Sequence, residues 1–170
     1  MDKRWIYILA IMIIGFACLF LIVDSSTTLA KANVKISGCT VTLPSTLNVH
    51  DSGGKFLNLT NRDNGEHIFM EATEKGDNAK NTFIEKMNTL KNDPSIENLT
   101  NSTSEVDNCT VMTAEYKTAG NDTFNQISVF FKFKNTFVIK CSDYDNQTTM
   151  EDNAEFLIKT MKIDYKQKQD

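Results

Sequence analysis

This 170-residue sequence carries no recognisable catalytic signature. It has no Gly-x-Ser-x-Gly elbow to present a serine nucleophile, and no Cys-x-x-Cys pair for redox work or zinc. Its two histidines, His50 and His67, are 17 positions apart, without the His-Glu-x-x-His spacing that sets two ligands on one helical face. Both are expected in solvent. Gly53-Gly54-Lys55 lacks the following Ser or Thr of a phosphate-cradling loop and reads as a flexible turn. The oxygen-rich pairs Asn61, Asp63 and Asp143, Asp145 lack the bidentate Glu of an EF-hand and read as turn chemistry. No catalytic residue, cofactor-binding residue or metal ligand is therefore expected, although residues distant in sequence can assemble a site that a linear reading misses.

Positive charge is also scarce. Eighteen Lys and Arg stand against 22 Asp and Glu, a net charge of −4. Residues 1–32 hold three basic and two acidic side chains, so the remainder carries −5. Phosphate binding needs a basic patch, so nucleic acid is excluded as a partner. Only two Pro and seven Gly occur, with no internal repeat or low-complexity tract. Uncharged polarity takes the place of charge: from Asn33 onward there are 17 Asn and 25 Ser plus Thr.

Against this background one segment stands apart. Trp5 to Val23 is a run of 19 residues without a charge, spanning about 28 Å as a helix, close to the thickness of a bilayer's hydrocarbon core. Lys3 and Arg4 precede it and Asp24 follows, which keeps residues 1–4 cytoplasmic and sends the rest out. The expected organisation is a transmembrane signal anchor over 5–23, a Ser- and Thr-rich tether over 24–32, one extracytoplasmic domain over 33–165, and a frayed tail over 166–170. The expected location is the cell membrane, single-pass, with the domain extracellular. A secretory signal peptide cut after Ala30-Lys31-Ala32 is the competing reading, disfavoured by the length of the run and the distance to the cut. Gly15-Phe16-Ala17-Cys18 is a poor lipobox, and Cys18 is read as a membrane-helix residue.

In the outer part, Val34 to Ile36 and Cys39 to Leu43 read as short strands around Ser37-Gly38, the second ended by Pro44. After a loop containing Gly53-Gly54, Lys55 to Thr60 and His67 to Thr73 form a hairpin around Asp63-Asn64-Gly65. Ala79, Phe83, Ile84, Met87 and Leu90 then recur at helical spacing, with Asp77 as N-cap and Pro94 as terminator. Pro94 to Asp107 reads as a polar surface connection. Strands return from Asn108 to Tyr144. Ile127, Val129, Phe131 and Phe133 make an apolar face, and a turn at Lys134-Asn135-Thr136 sets Phe131 opposite Ile139 and Val129 opposite Cys141. A last helix opens at Thr149-Met-Glu-Asp152 in the manner of a capping box, Glu151 and Asp152 balancing its dipole. It buries Met150, Ala154, Leu157, Ile158 and Met161.

The expected fold class is α+β, an antiparallel β-sheet meander covered by two α-helices and preceded by one transmembrane helix. Ile36-Ser-Gly-Cys-Thr-Val-Thr-Leu-Pro44, the helix from Asp77 to Leu90, the meander Val106 to Tyr144 and the helix Glu151 to Met161 together resemble the PsbP-like domains. The chain also resembles small membrane-anchored secreted proteins of methanogenic archaea. The resemblance is architectural, covers most of 33–165, and implies a fold and a location without an activity.

Three cysteines lie outside the membrane, so one bridge at most can form. Cys109 and Cys141 fall two strands apart in a plain meander, beyond disulfide reach, which leaves Cys39 with Cys109 or Cys141 as the possible bridge, against three small buried apolar side chains without one. Six Asn-x-Ser/Thr sequons mark glycosylation candidates: Asn98, Asn101, Asn121 and Asn146 in expected loops, Asn58 and Asn108 in or beside strands. The functional expectation is a noncatalytic, membrane-anchored envelope domain that binds a protein or glycan. A small envelope enzyme or accessory subunit is the alternative.

Overall fold

The computed structural model describes residues 32–143 and 147–164, all within one compact unit, Ala32–Asp170. The expected anchor, most of the tether, Asn146 and the tail lie outside the described residues. Among the described residues no helix is long and apolar enough to cross a membrane.

Two strands open the domain, β1 (Ala32–Ile36) and β2 (Cys39–Leu43), joined at Ser37 and Gly38 with φ of 47° and 76°. Both angles are positive, the conformation of a two-residue hairpin turn whose twist matches its strands. Cys39, Val41 and Leu43 alternate inward, as the sequence pattern requires. Then come β3 (Leu47–Gly53), β4 (Phe56–Asn61) and β5 (His67–Lys75), the helix α1 (Ala79–Lys91), and β6 (Ile96–Val106), β7 (Cys109–Thr118), β8 (Asn121–Lys132) and β9 (Asn135–Asp143). The helix α2 (Gln147–Thr160) and a short β10 (Lys162–Ile163) close the chain. A seven-stranded antiparallel sheet has the order β3-β4-β5-β9-β8-β7-β6, and a small sheet has the order β1-β2-β10. The chain leaves β5 at the centre, crosses through α1 to the far edge, and returns strand by strand until β9 docks beside β5.

The mixed α+β, antiparallel, two-helix layout matches expectation, but the large sheet is buried on both faces. On one side α2 and the small sheet cover Leu57, Leu59, Ile68, Met70, Phe130, Phe137 and Ile139. On the other, α1 lays Ala79, Phe83, Met87 and Leu90 against Ala114, Ile127, Val129 and Val138. Burying an apolar side chain of this size contributes about 1.5–3 kcal/mol, so each helix is held mainly by its stripe. Ile84, expected on the α1 stripe, is 45% exposed.

This two-sided burial corrects the register of the β8–β9 hairpin. The turn is Phe133-Lys134, with φ of 49° and 67°, and the pairs are Lys132 with Asn135, Phe130 with Phe137 and Val129 with Val138. Phe131 lies opposite Thr136 rather than Ile139, and Gln126 rather than Val129 opposes Cys141. Asn135 and Thr136 are unsuited to the turn because their side chains have work inside. Asn135 Nδ2 donates to Phe133 O at 3.2 Å; Thr136 Oγ1 donates to Gly76 O at 2.9 Å and accepts from Asn78 N at 3.0 Å. That last bond also displaces Asp77 as the cap: Asn78 holds the N-cap position of α1, and a hydroxyl from a distant strand satisfies its amide. The capping box at Thr149 is corrected likewise, since α2 begins at Gln147.

Two segments read as loops are strands. Leu47–Gly53 is β3, and the polar stretch Asn98-Leu-Thr-Asn-Ser-Thr103 lies within β6, bonded to β7 from Ile96↔Thr118 to Val106↔Cys109. As the outermost strand of its sheet, β6 needs no apolar face.

Candidate functional site

Between α2 and the outer half of the large sheet lies an open cleft of about 300 Å³. Its position follows from side-chain alternation. Along β6, β7 and β8 the residues facing α2 are Ser102 and Ser104, Thr113 and Glu115, and Gln126 and Ser128. The matching positions further toward β3 are Ile68, Met70 and Ile139, which belong to the same buried core as Leu157 and Ile158 of α2. The helix therefore stays down over the apolar half and leaves the polar half open. Its side wall presents Glu151, Asp152 and Glu155. These first two acids stand beyond the first helical turn, so their place is the cleft wall rather than the dipole.

The floor is a hydrogen-bonded chain. Gln126 Nε2 donates to Ser128 Oγ at 3.0 Å, and Ser128 Oγ and Thr113 Oγ1 share a bond of 3.2 Å. Gln126 is 3% exposed, and its Oε1 has no hydrogen-bond partner among the described residues. At one end Lys132, also buried, donates to Asp107 Oδ2 at 2.6 Å and to Ile158 O at 2.7 Å, tying the C-terminal turn of α2 to the β6–β7 turn.

Next to the floor, across β9, two carboxyl groups are sealed. Glu66 and Asp143 are both 0% exposed. Glu66 Oε2 accepts from Asn153 Nδ2 of α2 at 2.6 Å and from Asn61 Nδ2 at 3.5 Å, while its Oε1 lacks a hydrogen-bond partner of good geometry. Asp143 Oδ2 accepts from Asn64 Nδ2 at 2.8 Å. Burial pushes the Glu66 carboxyl up to about 7, the two amides oppose the rise, and the nearby Asp143 adds to it. The neighbouring Cys141 thiol is also pushed up, by burial first and then by Glu66. Glu66 does not line the cleft.

The sequence's candidates fall as follows. His50 and His67 are exposed, on β3 and β5. Gly53 and Gly54 are at the β3–β4 turn. Asn61 forms the expected turn, its Oδ1 accepting from Asp63 N at 3.0 Å, and its Nδ2 also reaches Glu66, beside which Asp143 lies. Among the described residues no group of three His, Cys, Asp or Glu is placed to hold a metal ion. Cys39, Cys109 and Cys141 are buried free thiols, the alternative to a Cys39 bridge. Asn98 and Asn101 are exposed on β6 rather than in loops, Asn121 begins β8, Asn108 is exposed in the β6–β7 turn, and Asn58 is half-buried in β4. Linear reading missed Glu66, Gln126 and the Thr113–Ser128 pair. The one signal available was polar residues at inward positions of otherwise apolar strands.

No protein-family model matches the sequence, and no curated protein matches it. Its likenesses are to solved structures. Cyanobacterial PsbP (CyanoP) from Synechocystis sp. PCC 6803 is similar over 81% of this chain and 95% of that one, with 15% identity and a TM-score of 0.52. A protein of Bacteroides thetaiotaomicron VPI-5482 is similar over 80% of this chain, with 13% identity and a TM-score of 0.50; this chain spans 49% of its length. At such identities the likeness concerns the fold alone. The domain from Ala32 onward has the PsbP-like fold that its strand, helix and meander order resembled.

Proposed function

We propose that this chain is a membrane-anchored, extracytoplasmic, noncatalytic binding domain of the cell envelope, held by Trp5 to Val23 and recognising an envelope protein or glycan through the α2 cleft. The anchor is supported by the uncharged run and its Lys3-Arg4 flank. Secretion after cleavage at Ala32 is the alternative processing of the same domain. The binding reading rests on one observation above all: the open cleft and the strongly shifted carboxyl are separate. Hydroxyls, an amide and solvent-facing carboxylates line the cleft, whereas Glu66 is closed off beneath Asn153. Such a wall suits recognition by hydrogen bonds and charge. The adjacency of Glu66 and Asp143 favours the second reading, a small envelope enzyme, which would require α2 to lift. N-glycans at the exposed Asn98, Asn101 and Asn108 belong to the proposal, shielding the β6 edge of a surface protein.

The test is photo-crosslinking of the full-length chain in membranes of its own organism. A photoreactive residue at Ser102, in the cleft, is expected to yield a discrete adduct, and one at Lys80, on the exposed side of α1, to yield none. Equal labelling from both positions would overturn the cleft as the recognition surface.

A further inference from the structure

The cleft's chemistry narrows what can occupy it, an inference that rests on the binding reading above. Four of its lining residues are acidic, Glu115, Glu151, Asp152 and Glu155, and none is basic. Two lysines on the surrounding elements are already engaged, Lys159 with Glu155 at 2.7 Å and Lys132 with Asp107 at 2.6 Å. Glu151 and Asp152 are exposed on the rim. The second, independent observation is Gln126. Its amide nitrogen is committed to Ser128, its buried Oε1 has no hydrogen-bond partner among the described residues, and the residue, 3% exposed, is part of the cleft lining. A buried acceptor without a donor is costly, and a ligand that supplies the donor recovers that cost. Acceptors in the floor and carboxylates on the rim together ask for a positively charged group with several N–H donors. A volume of about 300 Å³, at the small end of ligand sites, admits one or two side chains rather than a folded element.

We propose that the cleft between α2 and strands β6 to β8 is a receptor site for a basic side chain, the ammonium of Lys or the guanidinium of Arg, on an exposed segment of a partner protein. The charge reaches the rim at Glu151 and Asp152, and an N–H bonds Gln126 Oε1 beside the Ser128 and Thr113 hydroxyls. Rim carboxylates steer the approach, and the buried amide fixes the docked position.

The experiment titrates the full-length chain in detergent with trilysine and triarginine, using triserine as the uncharged control, and reads binding by calorimetry. Saturable one-to-one binding of a basic peptide is expected, weakened at least tenfold in the double variant Glu151→Gln, Asp152→Asn. Both substitutions are on exposed positions and preserve shape. The double variant Asp77→Asn, Glu85→Gln removes the same charge beside and on α1, on the opposite face of the sheet, and is expected to bind as the wild type does. Absence of saturable binding, or equal weakening in both double variants, would overturn the proposal by reducing the effect to net charge. Tight binding of calcium chloride that the basic peptides fail to displace would overturn it in favour of a metal site. The crosslinking from Ser102 separates the two readings. A discrete adduct that persists in the Glu151→Gln, Asp152→Asn variant leaves the binding domain standing and removes the basic side chain as its ligand.

Discussion

Glu66 shows at the scale of one residue how burial rewrites a side chain's chemistry. Its folded pKa of about 7 lies above the ordinary 4.5, so the native state holds its proton where the unfolded chain has released it. The contribution is fully present below pH 4.5 and is lost as pH rises through 7, a difference of about 3 kcal/mol by the linkage relation. Glu66→Gln keeps an oxygen for Asn61 and Asn153 and offers a donor toward Asp143. Denaturant unfolding at pH 5.5 and 8.5 is expected to show the wild type losing stability at the higher pH and the variant losing much less. An equal loss in both would place the titration elsewhere. No local pattern marks this group, because the amide that covers it arrives from 87 positions away. Turn residues were legible only in part. Ser37-Gly38 was readable from its glycine, whereas Asp107-Asn108 and Phe133-Lys134 adopt the same pair of positive φ angles without one. Lys134→Gly is expected to raise stability by about 1 kcal/mol, measured by thermal unfolding, since a left-handed backbone is strained for a residue with a Cβ.

At the scale of elements, the helices were easy to read and the edges were not. Each helix declares itself by a stripe, and Met150, Ala154, Leu157, Ile158 and Met161 are all buried as their spacing requires. No such rule marks β6, where one side looks into a polar cleft and the other, apart from Ile96 and Leu99 against the α1 cluster, into solvent. Its Asn-Ser-Thr run forms a strand because β7 offers a ladder, not because of any pattern of its own. The start of α1 is hidden from local sequence for a similar reason, as the Asn78 amide is capped by Thr136 from a strand 58 positions downstream. Thr136→Val keeps the shape and removes both bonds, leaving the Gly76 carbonyl and the Asn78 amide without that hydroxyl. A loss of about 1–3 kcal/mol is expected, together with faster hydrogen exchange confined to the first turn of α1. In the core, Phe130 stacks on Phe137 with centroids 5.5 Å apart, both 0% exposed. Phe130→Ala is expected to cost about 3–5 kcal/mol, enough to unfold a marginal domain at ambient temperature.

For the whole molecule, the strand, helix and meander order was legible enough to point to the PsbP-like fold, while the second buried face of the sheet was not. Alternation along β8 shows apolar residues at odd positions, but Gln126, Ser128 and Lys132 disguise the other side, which is buried through polar bonds. Carbonate extraction of native membranes is expected to leave the protein in the pellet. A soluble mature chain beginning at Asn33 would establish cleavage instead. The topology also sets a timetable for folding. Strands β3 to β5 and strands β6 to β9 are separate antiparallel pieces that meet only along the β5–β9 seam, where Lys75 pairs with Asn135 and His67 with Ser142. Until Ser142 has emerged, β5 waits with a bare edge and Glu66 has neither Asp143 beside it nor Asn153 above it. Closing so distant a contact is entropically slow, so the sheet can be completed only after nearly the entire chain is available. A polypeptide stalled or truncated before β9 would consist of two open-edged fragments with no seam to join them, a natural target for proteolysis.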